Sequence, residues 1–224
     1  VGGLLVGVAG VVALAVSVVT GCSTRPCAEP AQEPPGDVAL VASSAEAPCA
    51  KLVHRLTFEM GRLRESLEGF TVVRAPDAVR VYGMTETGEE AFDVASLRGK
   101  VTRIYRAPFL QDDRVLDAIA RAAARVFLLR PDPGSPVSRG GEGWTVNEKG
   151  VTWCWAGSDC DLRWLEGPGF SACFMDWSRK RGLNAPERIH CHSEEGADPC
   201  DLTMKLVKAS VLATPPPDAT FEGR

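Results

Sequence analysis

Eight cysteines, three histidines and five tryptophans are the residues of this 224-residue chain whose types and spacing could do chemistry. Five of the cysteines and all of the tryptophans lie from Trp144 onward. Two short runs stand out in that region, Trp153-Cys154-Trp155 and His190-Cys191-His192. On a strand, alternation sends the outer two residues of each run to one face and the central cysteine to the other. Trp153 and Trp155 then form the core of a small domain or, on an open face, a platform on which a sugar ring or peptide stacks. His190 and His192, joined by Glu194 or Glu195, could hold a metal ion loosely, while Cys191 points away from them. The commoner state of such a pair is an exposed edge, so no metal and no cofactor is expected.

Other signatures are missing. No Cys-x-x-Cys spacing, Gly-x-Ser-x-Gly, His-Glu-x-x-His, Gly-x-x-x-x-Gly-Lys or Gly-x-Gly-x-x-Gly occurs. Asp112 and Asp113 are adjacent carboxylates, but at a helix start the positive end of the dipole is reason enough for them. No catalytic residues are assigned, and the chain is not expected to be an enzyme. A formal charge of -4 with no basic cluster argues against nucleic acid as a partner, because phosphate binding needs a dense Lys/Arg field.

Residues 1–19 carry no charge and are built from Gly, Ala, Val, Leu and Ser, the composition of a signal-peptide apolar core or a membrane span. They run into Val19-Thr20-Gly21-Cys22, a branched residue, two small ones and a cysteine. This resembles the lipobox of bacterial lipoproteins. The resemblance implies that residues 1–21 are a signal peptide, that the Cys22 thiol receives diacylglycerol, and that its freed amine can be acylated. At about 0.8 kcal/mol per buried methylene, two or more acyl chains anchor stably. Ser23 after the cysteine is similar to the outer-membrane sorting pattern. The implied address is the cell envelope, lipid-anchored, at the outer membrane, with the membrane and an envelope protein as partners. Residues 22–48, with Pro26, Pro30, Pro34 and Pro35, read as an extended tether.

An oxidising compartment makes disulfides the default for the remaining cysteines. Trp153-Cys154-Trp155 with Cys160-Asp161-Leu162 is echoed by His190-Cys191-His192 with Cys200-Asp201-Leu202. The echo predicts bridges Cys154 to Cys160 and Cys191 to Cys200. Cys49 to Cys173 is the third candidate, and Cys27 with Cys49 its rival.

The elements that must position these residues divide the chain further. In 49–130, Leu52, Leu56, Met60, Leu63 and Leu67 recur every three or four residues and predict a helix. Strands are expected at 70–74, 79–84 and 101–106, with 91–97 undecided between strand and helix. Val115, Leu116, Ile119, Ala122, Ala123, Val126 and Phe127 give a second helix at 112–129 one broad apolar face. Residues 131–143 read as a Pro/Gly linker, 144–213 as a disulfide-rich ββα-ββα-like region in which Ser158 and Asp198 cap helices, and 214–224 as a disordered tail. The expected class is α+β, amphipathic helices packed on short antiparallel strands. The expected function is a non-enzymatic, lipid-anchored envelope protein that binds another protein or acts structurally. The alternative is a carbohydrate or cell-wall binding module using the tryptophan-rich region.

Overall fold

A period of two, not three to four, governs the residues after Cys49. Leu52, His54, Leu56 and Phe58 are buried while Lys51, Arg55 and Glu59 are exposed. The segment expected to be a helix is a hairpin of β1 (Cys49–Met60) and β2 (Leu63–Arg74). Met60 pairs with Leu63 across a two-residue turn whose first member, Gly61, has φ of 59°. Glycine takes that left-handed conformation without steric cost. The leucines that suggested a helical stripe instead meet across the ladder, Leu56 opposite Leu67.

The computed structural model describes residues 49–110, 112–132, 134–140, 143–156, 161–180, 183–194 and 199–223. After β2 come β3 (Ala78–Met84), β4 (Glu90–Leu97) and β5 (Lys100–Arg106), then helix α1 (Asp113–Leu128). Seven strands follow: β6 (Val137–Gly140), β7 (Gly143–Glu148), β8 (Val151–Ala156), β9 (Asp161–Gly167), β10 (Phe170–Lys180), β11 (Leu183–Ser193) and β12 (Cys200–Val211). A four-residue helix α2 (Ala219–Glu222) ends the chain. All twelve strands form one antiparallel sheet in the order β5-β4-β3-β2-β1-β12-β11-β10-β9-β8-β7-β6. Two meanders meet in the middle where β12 pairs with β1, and β5 and β6 form the two edges.

Helix α1 follows its sequence closely. The Asp112 side chain accepts from the Arg114 backbone N–H at 2.9 Å, satisfying one of the donors a helix start leaves open. Its apolar face, from Val115 to Phe127, is buried. The helix packs on β3, β4 and β5 and also reaches β11 and β12, so the sheet curls around it and the two share one trough. One continuous core joins Leu52 and Phe58 of β1, Phe92 of β4, Ile119 and Phe127 of α1, and Trp153 and Trp155 of β8. Regions 49–130 and 144–213 are therefore halves of one sheet.

The fold class read from the sequence is corrected to a single large antiparallel sheet with one long helix. The ββα-ββα order fails because both echoing copies are strand pairs, β8 with β9 and β11 with β12. Asp161 and Asp201, each three residues after an expected helix cap, lie on strands. Ser158 and Asp198 fall outside the described residues, as do the leader, the tether, Cys22, Cys27 and Glu195.

Two of the expected bridges also fail, because Cys49, Cys191 and Cys200 are free thiols. Cys191 and Cys200 are diagonal neighbours on one face of β11 and β12. Diagonal neighbours lie about 7 to 8 Å apart, where the Cα atoms of a disulfide are usually about 4.4 to 6.8 Å apart. Cys49 and Cys173 lie on β1 and β10, three strands apart, on the order of 14 Å at the inter-strand spacing. Cys154 and Cys173 are each disulfide-bonded. Cys160 falls outside the described residues.

The segment expected to be a disordered tail is docked on the outer face of β3, β4 and β5. Phe221 is 0% exposed, packed on Ala78 and Ala95 with Val72, Leu97 and Ile104 around it. Asp218 pairs with Arg74 at 2.7 Å and with Arg98 at 2.8 Å, and Arg80 donates to the Thr220 carbonyl at 2.7 Å. In the expected linker, Asp132 and Ser135 are likewise tied down: Glu148 accepts from the Asp132 backbone N–H at 2.8 Å and the Ser135 hydroxyl at 2.6 Å.

Candidate functional site

Two groupings of polar side chains stand apart from the ordinary surface. One lies inside the trough, the other on its outer wall.

Inside, His54 projects from β1 beneath α1, its ring 6.1 Å from that of Phe127. Burial alone pulls its pKa down to about 4, so the imidazole is neutral near pH 7. Its Nδ1 has no hydrogen-bond partner among the described residues, and neither has the Thr71 hydroxyl. Leu52 pairs with Thr71 and His54 with Gly69, which makes His54 and Thr71 diagonal neighbours on the inner face. The sheet dips beside them. Gly69 pairs with Gly83, and a Cβ on either would lie 2.3 Å or 2.4 Å from Leu56 or Phe92 respectively.

Trp153 and Trp155 are 2% and 0% exposed. They are part of the core and do not form an open platform for a sugar ring. Alternation along β8 keeps both indoles in the inner core, and Cys154 between them, on the other face, is also buried and is disulfide-bonded. Both indole Nε1 atoms lack a hydrogen-bond partner among the described residues. Among the described residues the core thus carries four buried polar atoms without partners, from His54, Thr71, Trp153 and Trp155, each costing about 1 to 3 kcal/mol if left unsatisfied. Cys191 and Cys200 also face inward, and burial pushes their thiols up to about 12 and about 11, which keeps them protonated and unreactive.

Outside, alternation places His190 and His192 together, as the sequence suggests, with Cys191 buried on the opposite face. The sequence did not disclose their partner. Asp201 of β12 lies directly opposite His192 and diagonal to His190. One of its oxygens, Oδ1, is 2.9 Å from His192 Nδ1 and 3.4 Å from His190 Nε2. The second nitrogen of each ring is also engaged: His190 Nδ1 is 3.2 Å from the Thr203 hydroxyl, and His192 Nε2 is 3.8 Å from Glu194 Oε1. The echo of Cys-Asp-Leu on two strands was the one signal that could have placed Asp201 on the histidine face.

No protein-family model matches the sequence, and no curated protein matches it. Among solved structures, the chain is similar to a LolA superfamily protein, NE2245, from Nitrosomonas europaea, at 8% identity, covering 78% of this chain and 90% of that one with a TM-score of 0.49. It is similar to a DUF1329 family protein from Desulfovibrio piger at 7% identity, covering 79% and 90%, with a TM-score of 0.45. A protein from Vibrio parahaemolyticus described as an outer membrane lipoprotein-sorting domain aligns at 6% identity, covering 79% and 92%, with a TM-score of 0.44. Likeness at this level carries nothing about ligand or partner.

Proposed function

We propose that this chain is a lipid-anchored envelope protein that binds rather than transforms, and that its ligand is an apolar chain taken into the trough between the curled sheet and α1. The observation that carries the reading is the set of unpartnered polar atoms in an otherwise apolar interior. Two are indole N–H groups, which only donate, so the ligand would bring an acceptor such as an ester or carboxyl oxygen. The lipobox-like run ending at Cys22 supports a membrane address, and the outer-membrane assignment from Ser23 belongs to the same reading. Protein binding narrows here to the lipid or lipid-bearing partner that supplies such a chain. The carbohydrate alternative is dropped because Trp153 and Trp155 are buried.

Entry would require α1 to lift. Its outer side is held by Arg103 to Asp113 at 3.0 Å and Asp117 at 2.8 Å, and by Arg106 to Asp113 at 2.8 Å. Solvent screens exposed pairs of this kind, so they would not lock the helix. The test is titration of the full chain with cis-parinaric acid, followed by its emission and that of the tryptophans. Saturable binding that oleic acid displaces supports the reading, and Trp155→Phe should weaken it while the fold persists. Absence of displaceable binding refutes it.

A further inference from the structure

We propose that His190, His192 and Asp201 form a surface site for a divalent transition metal, zinc or copper, on the outer face of β11 and β12. The site is separate from the trough and does not depend on what the trough holds. The three donor atoms His190 Nε2, His192 Nδ1 and Asp201 Oδ1 are already close, with 3.4 Å and 2.9 Å from the shared oxygen to the two nitrogens. Around a tetrahedral zinc with arms of about 2.0 to 2.1 Å, neighbouring donors sit roughly 3.3 Å apart. As they stand these donors satisfy one another, and no three donors among the described residues converge on one point. Small ring rotations about bonds at the surface would bring them together, since His190, His192 and Asp201 side chains are 33%, 36% and 41% exposed.

One outer contact fits the same reading. A metal-bound imidazole usually donates its other N–H to an oxygen that fixes its tautomer. Thr203 stands in that place for His190 at 3.2 Å, while Glu194, 3.8 Å from His192 Nε2, lies beyond hydrogen-bond distance. With Nδ1–H of His190 donating to Thr203, its Nε2 lone pair is the one free to bind a metal beside the Asp201 carboxylate. Two imidazoles and one carboxylate suit zinc, and copper(II) would bind more tightly by the general order of divalent affinities. Cys191 plays no part, being buried on the inner face.

The experiment is calorimetric titration of the full, untagged chain with zinc chloride and then copper chloride at neutral pH. One equivalent should bind, with the affinity lost in Asp201→Asn and in His190→Ala, and weakened about tenfold or more in Thr203→Val. In the unsubstituted chain, ring C–H resonances of His190 and His192 should shift with zinc while those of His54 stay fixed. No binding at millimolar zinc or copper overturns the proposal. So does binding that survives both Asp201→Asn and His190→Ala, or a zinc-induced shift confined to His54.

Discussion

The ring of His54 on β1 lies 6.1 Å from the ring of Phe127 on α1, and its Nδ1 has no hydrogen-bond partner among the described residues. A histidine 1% exposed against an aromatic ring must remain neutral for the helix to sit on the sheet.

That neutrality fixes a pH dependence. The pKa of His54 falls from 6.5 to about 4 because burial disfavours the charged form. Between those values the unfolded chain binds a proton that the folded chain does not. Its contribution to stability is complete above pH 6.5, declines as the pH falls, and is gone below about pH 4. The lowering corresponds to about 3 kcal/mol. Urea unfolding at pH 7.5 and pH 4.5 should show the loss in the native sequence and a shallower one in His54→Leu, which lacks this buried imidazole. Equal losses in both would mean that His54 is not the group responsible.

Legibility differed from element to element for physical reasons. Helix α1 was readable because its period, its Asp112 cap and its charge distribution agree. Strands near 70–74, 79–84 and 101–106 were readable from β-branched residues between turn signals. The β1–β2 hairpin was not, because Leu52, Leu56, Met60, Leu63 and Leu67 satisfy a helical spacing while also meeting across a ladder. Counting His54 and Phe58 as inward residues would have restored a period of two. The Lys149-Gly150 turn, with φ values of 52° and 79°, is a hairpin signal of the same kind. In the candidate sites, alternation disclosed that His190 and His192 share a face. It could not disclose Asp201, which needs the pairing of β11 with β12, nor that Trp153 and Trp155 belong to the core shared with β1, β4 and α1.

The C-terminal segment should behave as part of the fold. Phe221 fills a pocket on the outer face of β3 and β4, and the Arg74 guanidinium lies 5.0 Å from its ring centroid. Truncating a buried phenylalanine to alanine costs about 3 to 5 kcal/mol. Phe221→Ala should therefore lower the denaturation midpoint clearly. Asp218→Asn should cost far less, and less still at high salt, because Asp218 is 39% exposed. If Phe221→Ala leaves the midpoint unchanged, the docking is not part of the native state.

The free thiols should be silent in the folded chain. Cys49, Cys191 and Cys200 are 2%, 1% and 5% exposed. Burial raises the pKa of each, so little thiolate is present at neutral pH. Iodoacetamide followed by peptide mass analysis should leave all three unlabelled under native conditions and label them in urea. Native labelling of Cys191 would show that β11 opens readily, and with it the floor of the trough.

The glycine pair beneath α1 offers a sharper test of packing. Gly83 lies opposite Gly69 on the inner face, and a Cβ there would come within 2.4 Å of the Phe92 ring. Phe92 is itself 0% exposed and cannot swing into solvent without opening the core. Adding a methyl group at Gly83 therefore forces either the ring or the strand to move, and overpacking of this kind costs about 1 to 3 kcal/mol. Gly83→Ala should destabilise by that amount, while Gly83→Ala combined with Phe92→Leu should recover part of it because the smaller side chain vacates the contested space. Chemical denaturation of the two variants and the parent measures both effects. A double variant no more stable than the sum of its separate losses would show that the clash is relieved elsewhere.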